Sequence, residues 1–186
     1  VVSVVRKFSR VKRVGHAGTL DPLATGVLLV CLGQAAGVAE YLTDHDKKYR
    51  ARVRLGIEMD TYDATGAVVA QREVTATREQ IETALRGFIG KISQQPPAYS
   101  AIKQKGVPLY KLARQGKEVE TAPRAVEIFS IELRAVEPPD VEFDVHCGKG
   151  TYIRSLAHDL GETLGCGAHL TALTRTASGH FTLDDA

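Results

Sequence analysis

A chain of 186 residues, 44% hydrophobic and 25% charged, has the size and make-up of one globular domain, able to bury a core without disulfide or metal staples. Its longest apolar run, residues 27–32, is far below the ~20 residues of a membrane-spanning helix, and residues 1–7 have neither the cationic start nor the cleavage site of a secretory leader. The net charge of +2 hides an uneven spread: 10 basic and 4 acidic groups over 1–54, 5 basic and none acidic over 98–117, 2 basic and 8 acidic over 118–146, which leaves basic regions free for a polyanion.

In chain order, residues 1–11 set apolar side chains at 1, 4, 5, 8 and 11, one face of a helix. Residues 15–26, rich in Gly and Thr around Asp21-Pro22, form a loop. The run 27–32 is expected to be a buried strand and 35–42 a short helix. Residues 49–55 alternate apolar groups with Arg50, Arg52 and Arg54, the period of a strand with one basic face. Residues 77–90 suit an amphipathic helix, with Thr77 and Gln80 spaced as a capping box. After the break at Gln95-Pro96-Pro97, residues 109–115 suggest a short helix closed by Gly116. Segments 126–136 and 141–147 alternate as a hairpin with an acidic outer face, joined by Glu137-Pro138-Pro139-Asp140. Residues 151–164 predict a helix with Ile153, Leu156, Ala157, Leu160 and Leu164 on one stripe, and 169–176 a last strand.

Helices and strands mix without strict alternation, which predicts an α+β domain around a mixed sheet. Residues 98–121, basic and poor in large apolar groups, have the composition of an insertion that packs weakly on the body. Cys31, Cys147 and Cys166 are odd in number and far apart, so they are expected to be reduced, mostly buried thiols. The chain has no initiator Met and is expected to be a piece of a longer one.

Three segments could carry chemistry. The loop 15–26 can hold the carboxylate of Asp21 rigidly beside a strand, though a lone Asp-Pro more often just caps a turn. Lys149-Gly150-Thr151-Tyr152-Ile153-Arg154 puts an arginine in the first turn of a helix, where the dipole disfavours a cation. Such a residue makes sense if it reaches an acid elsewhere; alone, a surface arginine is the simpler reading. In Asp46-Lys47-Lys48-Tyr49-Arg50 a tyrosine opens a strand among cations, which by itself is an ordinary edge residue. The sequence has no three-glycine dinucleotide fingerprint, no phosphate-binding Gly-Lys-Ser/Thr loop, no metal-binding histidine spacing and no Gly-x-Ser-x-Gly elbow.

Taken together, the segments resemble one family. The run Gly15-His16-Ala17-Gly18-Thr19-Leu20-Asp21-Pro22-Leu23-Ala24-Thr25-Gly26-Val27-Leu28 looks like the catalytic motif of the bacterial tRNA pseudouridine-55 synthases of the TruB type. Further stretches match that family in order: 46–50, the stacking-tyrosine segment; 95–103 and 109–116, the RNA-gripping insertion; 149–156; 164–170; and 173–175. The family's Lys-Pro-x-Gly element before the first helix and its C-terminal RNA-binding domain have no counterpart in residues 1–186.

The resemblance implies a pseudouridine synthase fold, a mixed and mostly antiparallel β-sheet flanked by helices, with residues 1–186 as its catalytic domain and 98–121 as the inserted gripping segment. It implies an isomerase that needs no cofactor and no metal. Asp21 would be the nucleophile, at C6 of the base or at C1′ of the sugar. Arg154 would keep that carboxylate ionised in a dry pocket, where desolvation opposes charge. Tyr49 would stack on the base and handle a proton. His16 would fill the place left by the flipped nucleotide, and Tyr152 and Leu173 would wall the pocket. Lys12, Arg13, Lys103, Lys105, Lys111 and Arg114, within the basic stretches 1–13, 47–54 and 103–117, would hold phosphates. The implied partner is the T-arm stem-loop of tRNA, bound by a cytoplasmic monomer with no membrane and no obligatory protein partner. A guide-RNA-dependent relative and a non-catalytic RNA-binding or chaperone module are the alternative readings.

Overall fold

The computed structural model describes residues 1–186 apart from 101, 105, 114, 116–118 and 120. Its elements run α1 (Val2–Ser9), β1 (Val14–Ala17), β2 (Ala24–Gly26), β3 (Leu29–Leu32), α2 (Ala39–Thr43), β4 (Lys47–Leu55), β5 (Ile57–Met59), β6 (Val68–Gln71), α3 (Arg78–Gly87) and β7 (Gly90–Gln94). They continue with β8 (Lys103–Gln104), β9 (Val107–Pro108), α4 (Leu109–Ala113), β10 (Arg124–Glu137), β11 (Asp140–Cys147), α5 (Ile153–Thr163), β12 (Ala168–Ser178) and β13 (Phe181–Thr182). Among the described residues no helix is long and apolar enough to cross a membrane.

The main sheet has the order β13-β12-β4-β11-β10-β7, antiparallel throughout, and β2 adds to β12 in parallel. The expected mixed, mostly antiparallel sheet with helices beside it is what the chain builds. The period of two sorts each strand by face. Ala51, Val53 and Leu55 of β4 and Val141, Phe143, Val145 and Cys147 of β11 form one wall of the core. Helix α5 covers it with Ile153, Leu156, Ala157 and Leu160, and α3 with Ile81 and Leu85. Thr77 caps α3, accepting from the Gln80 amide while the Gln80 side chain accepts from the Thr77 amide. All three cysteines are free and buried, and burial pushes the Cys147 thiol up to about 11, so it stays protonated.

The structure refines the sequence reading at two segments. The run 27–32 forms a strand over Leu29–Leu32, with Val27 and Cys31 buried and Leu32 exposed, but this β3 pairs with β1 in a two-stranded sheet apart from the main one. The helix predicted at the start forms as α1, but its apolar face is only partly covered: Val2 and Val5 are half-buried, while Val4 and Phe8 are exposed. The expected helix end at Gly116 lies outside the described residues.

The outer face of the sheet explains the lopsided charge of the sequence. Arg50, Arg52 and Arg54 of β4 stand opposite the acids of β11 in register, so that Arg50 and Arg134 bond Asp144 while Arg52 and Arg54 bond Asp140. The β4 arginines are therefore occupied by carboxylates rather than open to phosphate. Hydrogen bonds from Arg54 hold the Asp140 carboxyl below the usual range. At Asp144 burial opposes ionisation, but the hydrogen bonds from Arg50 and Arg134 outweigh it. Both folded-state values lie below the unfolded ones, so this ladder stabilises the fold above the ordinary carboxylate range and is lost as pH falls through the lowered values. The melting temperature should hold from pH 7 to about 4 and drop below that. In Asp144→Asn the drop should be shallower; an unchanged acid limb would show that the ladder is energetically idle.

Candidate active site

The loop that carries Asp21 is clamped at both ends. On its far side β2 lies parallel to β12, with Gly26 opposite Arg175, and the Val27 amide donates to the Arg175 carbonyl at 2.9 Å. Gly26 has φ +96, and a Cβ there would sit 2.2 Å from the Arg175 carbonyl oxygen. Gly26→Ala should therefore lift the loop off β12 at a cost of about 2–4 kcal/mol from overpacking and left-handed backbone strain. Urea unfolding measures this, and a loss below about 1 kcal/mol would show the contact to be slack.

Arg175 also holds the loop from beneath. Its guanidinium is buried and donates from Nε to the Val27 carbonyl at 2.7 Å and from Nη2 to the Gly18 carbonyl at 3.3 Å. Across the ladder it faces Tyr49. Burial raises the pKa of the Tyr49 phenol, and the Arg175 cation pulls partly the other way. Lys47, on the same inner face of β4, is buried and spends its ammonium on the Thr43 and His45 carbonyls, both at 2.5 Å. Its pKa is lowered by burial and by Arg175.

The other side of the site is the start of α5. Buried Gln94 of β7 grips the backbone of Tyr152, accepting from its amide at 2.7 Å and donating to its carbonyl at 3.0 Å. Ser155 donates to the Gln95 carbonyl at 2.6 Å. These bonds fix the first turn, from which Arg154 reaches inward with 4% of its surface exposed. Its Nε and Nη2 donate to the two carboxylate oxygens of Asp21 at 2.9 and 2.8 Å. Nη2 also reaches the Tyr99 carbonyl at 3.0 Å, and Nη1 reaches the Thr61 carbonyl at 3.3 Å. Nη1 lies 3.6 Å from a carboxylate oxygen of Asp63, itself 3% exposed. The cation in a first turn is thus accounted for: two carboxylates outweigh the helix dipole.

Asp21, Tyr49, Tyr152, Arg154 and Leu173 line one cleft of about 390 Å³, within the roughly 300–1,000 Å³ of ligand pockets. Of the other residues singled out by sequence, His16 is exposed on β1 and does not line this cleft, and Lys12, Arg13 and Lys111 are exposed. Lys103 lies on β8; Lys105 and Arg114 fall outside the described residues. Sequence reasoning missed Lys47, Asp63, Gln94 and Arg175. Arg175 and Lys47 stand inside quoted motifs, but a buried cation has no sequence signature; Asp63 could have been suspected only as the acid an out-of-place Arg154 needs. Beside the single Asp21 carboxylate the cleft is lined by Lys47, Lys149, Arg154 and Arg175; Lys149 pairs with Asp44 at 2.9 Å and the other three are held by carbonyls or carboxylates, so it is the excess of positive charge, not an open cation, that favours an anionic substrate. Among the described residues no three His, Cys, Asp or Glu side chains are grouped to hold a metal.

This architecture is the pseudouridine synthase fold. The chain superposes on the crystal structure of a Cbf5-Nop10-Gar1 complex with a TM-score of 0.74 and 33% identity, covering 97% of this chain and 45% of that one. The chain belongs to the TruB family of pseudouridylate synthases, whose N-terminal domain matches residues 6–153, while the tRNA pseudouridylate synthase B C-terminal domain matches 154–186. The boundary between the two matches falls in the first turn of α5, inside one continuous sheet-and-helix layer. Curated relatives named tRNA pseudouridine synthase B are 54% identical in Alkaliphilus oremlandii and 51% identical in Syntrophotalea carbinolica, in both cases over the whole chain. The chain spans 62% and 61% of the length of those relatives.

Proposed function

We propose that the chain carries the catalytic machinery of a tRNA pseudouridine synthase that isomerises the T-loop uridine at position 55. One observation carries this reading: in a chain of this family, the Asp21 carboxylate is aimed into the cleft by two hydrogen bonds from a buried arginine. The reaction breaks the C1′–N1 bond, turns the freed uracil and joins C1′ to C5. C5 loses its proton and N1, freed from the sugar, gains one, so the product is an isomer. Asp21 acts as nucleophile, at C6 or at C1′, in a site that keeps water from the intermediate. Arg154 holds it ionised and oriented.

The target uridine leaves its stack to enter the cleft. Tyr49 stacks on it and handles a proton at its hydroxyl, Tyr152 and Leu173 wall it, and His16 fills the place it vacates. Lys12, Arg13, Lys103, Lys105, Lys111 and Arg114 hold phosphates of the T-arm, the last four from the 98–121 gripping segment, so binding weakens as salt rises. Relatives named tRNA pseudouridine synthase B are more alike in sequence than the Cbf5 structure, which supports action on tRNA over the guide-RNA-dependent alternative; on this reading the enzyme is a cytoplasmic monomer with no obligatory protein partner. The test is tritium release from tRNA labelled at C5 of uridine. Release from tRNA, and none from a transcript with cytidine at position 55, is expected. Binding of the T-arm without release would move the reading to a binding module.

A further inference from the structure

Asp63, which faces Arg154 from behind, sits on the turn that joins β5 to β6 rather than on a regular element. Inside the turn its carboxylate accepts from the Thr61 hydroxyl at 2.9 Å, the Thr65 amide at 2.9 Å and the Thr65 hydroxyl at 2.6 Å. The backbone docks on β12, with the Leu170 amide donating to the Tyr62 carbonyl at 3.0 Å and the Ala64 amide to the Leu170 carbonyl at 2.9 Å. These contacts shape the turn and tie it to the sheet, but none sets its distance from α5.

Besides the Arg154 contacts with the Thr61 carbonyl and Asp63, one further contact with α5 does. The ring of Tyr62 lies on the ring of His158, with centroids 4.0 Å apart and planes at 12°. His158 follows Arg154 by four residues, so the two share one face of α5, a turn apart. In an extended chain, neighbours such as Tyr62 and Asp63 would point to opposite sides. Here both meet the same helix face, and Tyr62 has a left-handed backbone, φ 63, that L residues rarely adopt. Nδ1 of His158 is buried with no hydrogen-bond partner, so no bond at that atom explains where the ring lies.

We propose that the Tyr62–His158 stack positions the catalytic pair: it seats the 60–66 turn on α5 so that Asp63 meets Nη1 of Arg154 while Nε and Nη2 face Asp21. Both residues act through Arg154 and neither touches the substrate. The proposal rests on the isomerase reading for its kinetic consequence, but not for its structural one.

The test compares Tyr62→Phe, His158→Phe and Tyr62→Gly. The two Phe variants keep a ring on each side of the stack. Glycine removes the ring and accepts the left-handed backbone without strain, and a urea melt of the same variant shows that it remains folded under assay conditions. Tyr62→Gly should lower kcat by about 10²-fold, the scale for a reacting group misplaced by about 1 Å, with KM for a T-arm stem-loop nearly unchanged. The Phe variants should stay near wild type. A second readout needs no turnover: the Arg154 Nε–H signal in a ¹⁵N-arginine NMR spectrum, assigned by its loss in Arg154→Lys. It should persist in wild type and the Phe variants and broaden or move in Tyr62→Gly. An unmoved signal with wild-type kcat in Tyr62→Gly would overturn the proposal. So would an equal loss in Tyr62→Phe, which would point to the hydroxyl instead of the stack. Wild-type protein that releases no tritium would sink the isomerase reading, while the NMR signal would still decide the positioning role.

Discussion

Asp21→Asn is expected to abolish isomerisation, by on the order of 10⁴-fold or more in kcat, as when a nucleophile is removed from a concerted site. The amide is nearly isosteric, so shape is kept while charge and nucleophilicity are lost. The fold should tolerate the change. Arg154 keeps Asp63 at 3.6 Å and the Tyr99 and Thr61 carbonyls at 3.0 and 3.3 Å, so no buried cation is stranded. T-arm affinity should also stay close to wild type, because phosphate contacts lie elsewhere. Tritium release and a filter-binding titration on the same preparation check both parts. Equal product from the variant would remove Asp21 from the centre of the reaction; lost binding alongside lost turnover would show that it acts in recognition.

Arg154→Met is expected to have the larger structural effect. It strips the cation from between two carboxylates, and Asp63, at 3% exposure, has no other cation within an ion-pair distance among the described residues. Removing one partner of a buried ion pair typically costs about 3–5 kcal/mol. Because Asp63 retains its threonine donors, the lower part of that range is expected. Turnover should be lost along with stability. Arg154→Lys should recover part of the stability and little of the activity, because a point charge cannot address both oxygens of Asp21 and also reach Asp63. Adding Asp63→Asn to Arg154→Met should restore stability without restoring turnover. That coupling, read as a double-mutant cycle in urea, separates the structural load on Arg154 from its aiming of Asp21. A strictly additive pair would mean that Arg154 and Asp63 do not interact in solution.

Much of the cleft was legible in the sequence. Asp21 in a glycine-rich loop, Tyr49 at the start of a basic strand and an arginine placed against its helix dipole each had a plainer reading alone, and it was their joint resemblance to one family that singled them out; all three line one cavity. The anomaly at Arg154 was the most informative, because an unfavourable local choice implies a distant partner. Asp63 was not legible, since a carboxylate in a polar turn looks like any other until the turn is seated on α5. Lys47, counted in a basic stretch expected to hold phosphates, and Arg175, given no role, are both buried.

What the sequence determined by itself was local: periodicities of two and 3.6 that make β4, β11 and α5, the capping box of α3, and the motif loop around Asp21. These follow from backbone geometry and near neighbours, so the string of residues contains them. The tertiary structure decided everything that depends on register. Pairing β4 with β11 turned a basic strand and an acidic hairpin into a neutralised ladder. Pairing β3 with β1 set the apolar run in a small sheet apart from the main one, with Val27 and Cys31 buried. Bringing the loop at Asp21, the turn at Asp63 and the first turn of α5 to one guanidinium created the site. Electrostatic energy depends on distance across space and on burial, and neither is written in the order of residues along the chain.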